Sequence, residues 1–179
     1  MQRTGDDTAP DGAAAAPGAH PGSADGDRSA EAVNRELARR AWQRNNHRFL
    51  GRALDSVRHA LDALIERTRK GPAPALEPPS APPLDPFDDD ALIAPGPVGP
   101  PALAVLCAAY SLSRFERSLL ILCAGVELDS GFHAACGAAQ GIKGRAAPTF
   151  GLALAALPEP HWSALAPHAP LRRGCLIQV

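Results

Sequence analysis

LSRFERSLLILCAGVELDSGFHAACGAAQG, Leu112 to Gly141, is the stretch whose reading decides the fold. Ser113 stands where a side-chain oxygen can accept an exposed N–H of a first helical turn. Glu116, three residues on, can cap back, and Leu112 precedes them as a staple residue. Phe115, Leu119, Leu120, Leu122 and Cys123 then form an apolar stripe at helical spacing, and Gly125 offers a left-handed exit. A second helix follows: Asp129 or Ser130 caps it, Phe132, Ala135, Cys136 and Ala139 face inward, and Gly141 ends it.

Downstream, residues 142–148 (IKGRAAP) read as a basic turn carrying Lys143 and Arg145. Thr149 can cap a third helix, FGLALAAL, with Leu152 and Leu157 buried and Pro158 as its stop. PEPHWSAL adds one more helical turn, in which His161 and Trp162 pack together at a helix start. PLRRGCLIQV, which contains Arg172 and Arg173, reads as a turn and an incipient strand. Upstream, PPALAVLCAAYS predicts a short helix with Pro101 at its first position and Leu103, Leu106 and Tyr110 along one face. Short helices followed by a strand are the order of a winged helix-turn-helix module. The expected fold is therefore mainly α, with a winged-helix-like domain over 101–179.

Three further segments precede it. Residues 1–28 hold Gly, Ala, Pro, Asp and Ser with almost no large apolar side chain, so they cannot offset the entropy of ordering and read as a disordered tail. From Ser29, which can act as a cap, to Lys70 there is no proline. Leu50, Leu54, Val57, Leu61 and Leu64 follow a 4-3-4-3 rhythm, giving a basic amphipathic helix over 29–70, or two helices joined near Asn45 and Asn46. Residues 71–100 are a proline-rich linker with one island, PFDDDALI, that can serve as a short docking motif.

Composition limits the core. There are 19 Pro and 16 Gly in 179 residues, and alanine supplies much of the 45% hydrophobic content while burying little area per residue. A compact unit of roughly 80 residues is near the lower limit for a self-sufficient core, so this one calls for a neighbour. The net charge of −1 gives no global case for nucleic acid or membrane binding. Locally, Ser29–Lys70 carries ten Arg or Lys against five Asp or Glu, about +5. Arg35, Arg39, Arg40, Arg44, Arg48 and Arg52 can thus form a solvated face, contact a protein, or meet phosphate. No apolar run is long enough for a membrane span, and the N-terminus lacks a secretory pattern, so the cytoplasm is the expected location. Cys107, Cys123, Cys136 and Cys175 are too widely spaced for a CxxC metal site and read as free thiols.

The phrases FERSLLILCAGVELD and TFGLALAALP, in this order, resemble the winged-helix-like region that precedes the ATPase module of bacterial AAA-family ATP-binding proteins, of the type associated with contractile injection systems. The resemblance covers about 101–179, and the helix from Ala30 to Lys70 is similar to the upstream helical segment of those proteins. It implies an accessory, protein-binding module whose partner is an AAA motor or its assembly. The nucleotide chemistry would belong to the motor. A phosphate-cradling loop needs glycines followed by a lysine beside Ser or Thr. The nearest approach, GAAQGIKG, places glycine after Lys143. No ATP-site residue carries over, and the motor is expected beyond a truncation, in a separate chain, or lost.

Catalysis finds little support. Ser163 lies near His161 and His168 without a glycine elbow or an orienting acid, and no zinc or calcium spacing is present. The expectation is no enzyme, no cofactor and no metal. For nucleic acid, the alternative partner, the candidate recognition helix from Thr149 to Leu157 has no side chain able to read a base edge. Lys143, Arg145, Arg172 and Arg173 flank it and support backbone contact at most, alongside the arginines of 35–58. Self-association through the long helix is a further route to a partner.

Overall fold

The computed structural model describes residues 23–70, 85–88, 99–144 and 146–178. Residues 1–22 of the expected 1–28 tail, the linker stretches 71–84 and 89–98, Arg145 and Val179 lie outside the described residues, while residues 23–28 of that tail are helical. The chain separates into two units, Met1–Glu36 and Leu37–Val179. In the first, the described residues open helix α1 (Ser23–Lys70), where Arg35 pairs with Glu31 one turn away at 3.8 Å. α1 begins ahead of Ser29, which therefore lies inside the helix and is not its cap. It passes Asn45 and Asn46 without a joint. No proline interrupts the ladder between Pro21 and Pro72, so nothing forces an earlier boundary.

Within Leu37–Val179, α2 (Ala102–Ala109), α3 (Arg114–Leu128), α4 (Ser130–Ala139) and α5 (Phe150–Ala156) follow. A 3-10 turn (Trp162–Leu165) and the one-turn α6 (Pro170–Arg173) complete the order. The protein is mainly helical, and no strand occurs among the described residues. The expected C-terminal strand is replaced by a fold-back: the amides of Leu176 and Ile177 both point to the Leu171 carbonyl, at 2.9 and 3.4 Å. Their backbone is satisfied locally, and both side chains pack on the core, so the segment needs no neighbouring strand.

α1 supplies one wall of that core. Phe49, Ala53, Val57 and Leu61 recur at intervals of four and are 0–3% exposed, whereas Leu50, Leu54 and Leu64 of the expected rhythm are only partly buried. Ala53, Val57 and Leu61 share a cluster with Phe115, Leu119 and Leu122 of α3, Phe132 of α4 and Leu152 of α5. Phe49 meets Ala104 of α2. Each large side chain in such a place contributes about 1.5–3 kcal/mol by leaving water.

Polar ties set the angle at which α2 enters. Asn46 Oδ1 accepts the Ala102 N–H at 2.7 Å, and Trp42 Nε1–H donates to the Pro100 carbonyl at 3.2 Å. Pro101, at φ −59°, ψ 140°, is the capping residue just outside the helix. Held this way, α2 turns Ala104 and Cys107 inward. Leu103 and Leu106 are half-buried, and Tyr110, expected on the buried face, is 36% exposed with its ring over Gly174, where a Cβ would lie 2.4 Å from Cε1.

α3 starts as its sequence requires: the Ser113 hydroxyl accepts the Glu116 N–H at 3.2 Å, and the Glu116 carboxylate accepts the Ser113 N–H at 2.9 Å. It does not end at Gly125. That glycine is buried in mid-helix because the ring of Phe132 packs against it; an added Cβ would stand 2.6 Å from two ring carbons. The exit falls at Asp129, which closes α3 and caps α4 by accepting the Gly131 N–H at 2.7 Å. Arg58 of α1 donates to the same carboxylate at 2.6 Å and lies 4.7 Å from the centre of the Phe132 ring. One aspartate thus joins three helices.

Gly125→Ala is expected to lower the unfolding free energy by about 1–2 kcal/mol, since overpacking costs about 1–3 kcal/mol and alanine regains a little under 1 in helix propensity. An unchanged or raised urea midpoint would mean that Phe132 does not fill this space. For Asp129, the Gly131 amide holds the carboxyl below its ordinary range; partial desolvation works against this and Arg58 adds to it. A depressed folded pKa gives stability that is present above the unfolded value and lost as pH falls through the folded one. Asp129→Asn, which keeps the cap, should therefore be less stable than the natural chain near neutrality. The gap between their unfolding midpoints should begin to narrow below about pH 3.9 and vanish only below the depressed folded value.

Candidate interaction surfaces

The turn between α4 and α5 is built tightly. Gly137 is buried, and a Cβ there would stand 2.1 Å from the Gly144 carbonyl oxygen, so only glycine admits the returning chain. Gln140 donates to the carbonyls of Cys136 (3.1 Å) and Ala147 (3.0 Å) and accepts the Thr149 hydroxyl at 3.0 Å. Thr149 in turn caps α5 by accepting the Leu152 N–H at 3.2 Å. α5 buries Leu152 and Ala153 and leaves Gly151 and Ala155 outward. An exposed face of glycine and alanine can neither neutralise a phosphate nor read a base edge. Arg67 of α1 also donates to the Ala155 carbonyl at 3.1 Å, occupying the end of that helix.

The sequence-predicted cations stand on three elements. Arg44, Arg48 and Arg52 follow at four-residue spacing on α1 and are exposed, on the side away from Phe49, Ala53 and Val57. Arg39 and Arg40 are exposed one to two turns earlier, and Arg35 belongs to the N-terminal unit. Lys143 is exposed in the α4–α5 turn. Arg172 and Arg173 are exposed on α6, where Arg172 donates to the Leu165 carbonyl at 3.2 Å. Arg145 is outside the described residues.

Sequence reasoning missed the most exposed large aromatic. Trp162, expected to pack at a helix start, is 74% exposed. Its base is nonetheless fixed. The indole meets the Phe150 ring at 5.5 Å, Phe150 meets fully buried Phe115 at 5.9 Å, and His161 lies 5.2 Å from Phe115. His161 is held between hydroxyls, Nε2 to Ser113 Oγ at 2.8 Å and Nδ1 to Ser163 Oγ at 2.9 Å. Which ring nitrogen donates follows the histidine tautomer, since the Ser113 hydroxyl can both accept the Glu116 amide and take part in the bond to His161. This chain fixes the start of α3 to the 3-10 turn. The prolines at 158, 160 and 167 were the available signal that the segment around Trp162 is too short and constrained to fold the indole inward.

Beside this aromatic platform runs a cleft of about 560 Å³ between α1 and the end of α5. Val57, Ala60, Ala63, Leu154, Leu157 and Pro158 line it, with His59, Arg67 and Arg114 as polar members. Its volume lies in the range of ordinary ligand clefts. Pro158, Glu159 and Pro160 connect it to His161 and Trp162, so cleft and indole form adjacent parts of one surface. Among the described residues, no group of His, Cys, Asp or Glu is placed to hold a metal ion, and no helix is long and apolar enough to cross a membrane.

All four cysteines are free. Burial pushes the Cys107 thiol up to about 11, against a lowering by nearby Arg117, and raises Cys123 and Cys136 as well. Cys175 alone is exposed. A thiolate-seeking aromatic disulfide at mildly alkaline pH is expected to label one thiol per native chain at once, and the other three only on unfolding. Cys175→Ser should remove the fast phase. Rapid labelling that persists in that variant would contradict the packing of α2–α4.

A family model described as a winged helix domain, variant, matches residues 22–179. No curated protein and no solved structure matches the chain.

Proposed function

Since the chain belongs to the family of variant winged helix domains, we propose that it is a non-catalytic protein-binding module that docks its partner through the Trp162 platform and the neighbouring cleft. Winged helix domains bind DNA or proteins, and the choice between them rests on α5. Its outward face carries Gly151 and Ala155, while a rigidly seated indole is exposed next to a cleft of mixed apolar and charged lining. Exposed tryptophans on fixed bases are the residues that most often dominate protein interfaces. No chemistry of its own is assigned to the chain: the hydroxyl nearest a histidine base, Ser113, is committed to capping α3. The partner class that fits the resemblance of 112–141 and 148–173 is an AAA-family ATPase, with the nucleotide held entirely by that protein. Free thiols fit a reducing compartment and support a cytoplasmic setting for this reading.

A second reading is favoured by one observation. Arg44, Arg48 and Arg52 make an exposed basic stripe opposite the core, suited to phosphate contact without base readout.

Co-expression of the full chain with the AAA-family ATPase encoded nearest to it, followed by titration of the purified complex, separates the two. Trp162→Ala is expected to weaken the complex at least tenfold, as befits an anchor worth about 2 kcal/mol or more, and Arg44→Glu with Arg48→Glu to leave it unchanged. The opposite pattern, joined to salt-sensitive binding of generic duplex DNA, would overturn the protein-binding reading in favour of the second.

A further inference from the structure

The stretch Asp85–Asp88, which leads into the PFDDDALI island of the proline-rich region, is anchored. Asp85 is 9% exposed and Pro86 is fully buried. The Asp85 carboxylate accepts the Phe87 N–H at 3.1 Å and the Arg114 Nε–H at 3.1 Å; Asp88 reaches Arg114 at 3.6 Å. Phe87 presents its ring edge-on to Phe49 at 5.0 Å and lies under the Arg117 guanidinium at 4.5 Å. These are the contacts of a bound peptide: an aromatic anchor in a pocket, a proline fixing the approach, and two carboxylates on one arginine.

Two further observations show that the pocket is not fully used by its own chain. A space of about 240 Å³ remains beside Phe87, lined by Ala104, Cys107, Leu112 and Arg117. Among the described residues the Nε of Arg117 is buried without a hydrogen-bond partner, and its guanidinium lies over the Phe87 ring. Leaving a buried charged donor unpaired is costly, and a residue with an acceptor at that position would satisfy it.

We propose that this pocket is a docking site for a partner-protein segment of acid–proline–aromatic–acid character, occupied in the isolated chain by Asp85–Asp88 as a tethered competitor. The pocket borders the cleft at Asp85 and Arg114 but among the described residues takes no contact from Trp162, so loss of peptide binding here and loss of a Trp162-dependent complex are distinguishable outcomes. The tether gives the internal copy an effective concentration in the millimolar range, which an incoming segment has to exceed. An external ligand therefore binds weakly until the internal one is removed.

The test uses the full chain and a fluorescent peptide of residues 82–91, PPLDPFDDDA, read by anisotropy. Phe87→Ala empties the pocket and is expected to bind the peptide at least about tenfold more tightly than the natural chain. The peptide with its own phenylalanine replaced by alanine should not bind. As Phe87→Ala removes core contacts, circular dichroism accompanies it. The variant D85A/D88A, which frees the segment but leaves the pocket intact, should also gain affinity. Arg114→Ala in the Phe87→Ala background should lose the gain, and Trp162→Ala should leave it unchanged. Equal binding to natural and released chains, or equal binding of the alanine peptide, would overturn the proposal. A concentration-dependent dimer of the natural chain that Phe87→Ala abolishes would overturn it too, by assigning the pocket to the same segment of a second copy.

Discussion

Four side chains on one line of α1, Phe49, Ala53, Val57 and Leu61, close the core, and the remaining helices depend on them. α2, α4, α5 and α6 span 8, 10, 7 and 4 residues. Isolated helices below about 12–15 residues are marginal in water, so these stand only while packed. α3, at 15 residues, is the sole long element among them, and much of its buried face is turned to its neighbours. A unit of this size buries too little surface by itself. The second half of α1 supplies the missing wall, and Arg58, Trp42 and Asn46 lock it to α4 and to the start of α2.

Features that depend on near neighbours in sequence were legible. The reciprocal cap of Ser113 and Glu116, the caps at Asp129 and Thr149, and the positive φ of Gly141 all follow from residues one to four positions away. Gly125 was misread because glycine serves equally as a helix exit and as room for a ring; telling these apart requires knowing where Phe132 lands. The 4-3-4-3 rhythm on α1 placed Val57 and Leu61 on the buried line but gave half-buried Leu50, Leu54 and Leu64 the same weight and passed over Ala53, whose small side chain carries little hydrophobic signal though it is 1% exposed. The final residues were read as a strand from their β-branched and apolar composition. A single carbonyl, that of Leu171, satisfies their amides instead.

Arginines were the hardest residues to sort. Read as one basic population, the arginines of 29–70 suggested a charged face, yet Arg58 and Arg67 hold specific intramolecular contacts, as do Arg114 and Arg117 of α3. What distinguishes them is an acid, a carbonyl or a ring arriving from far along the chain, which no local pattern announces. The same applies to Trp162. Its exposure follows from the 3-10 turn and its flanking prolines, while its rigidity comes from Phe150 and Phe115 beneath it. Basic stripe and aromatic platform are thus two chemically different exposed surfaces.

The central claim is that α1 from Phe49 to Leu61 belongs to the same cooperative unit as α3. Amide hydrogen exchange of the intact chain, followed by mass spectrometry, measures this directly. Peptides covering 49–61 should be protected to the same degree as those covering 115–125, and both should lose protection together as urea is added. Fast exchange across 49–61 while 115–125 stays protected would contradict the account, because the core would then close without α1.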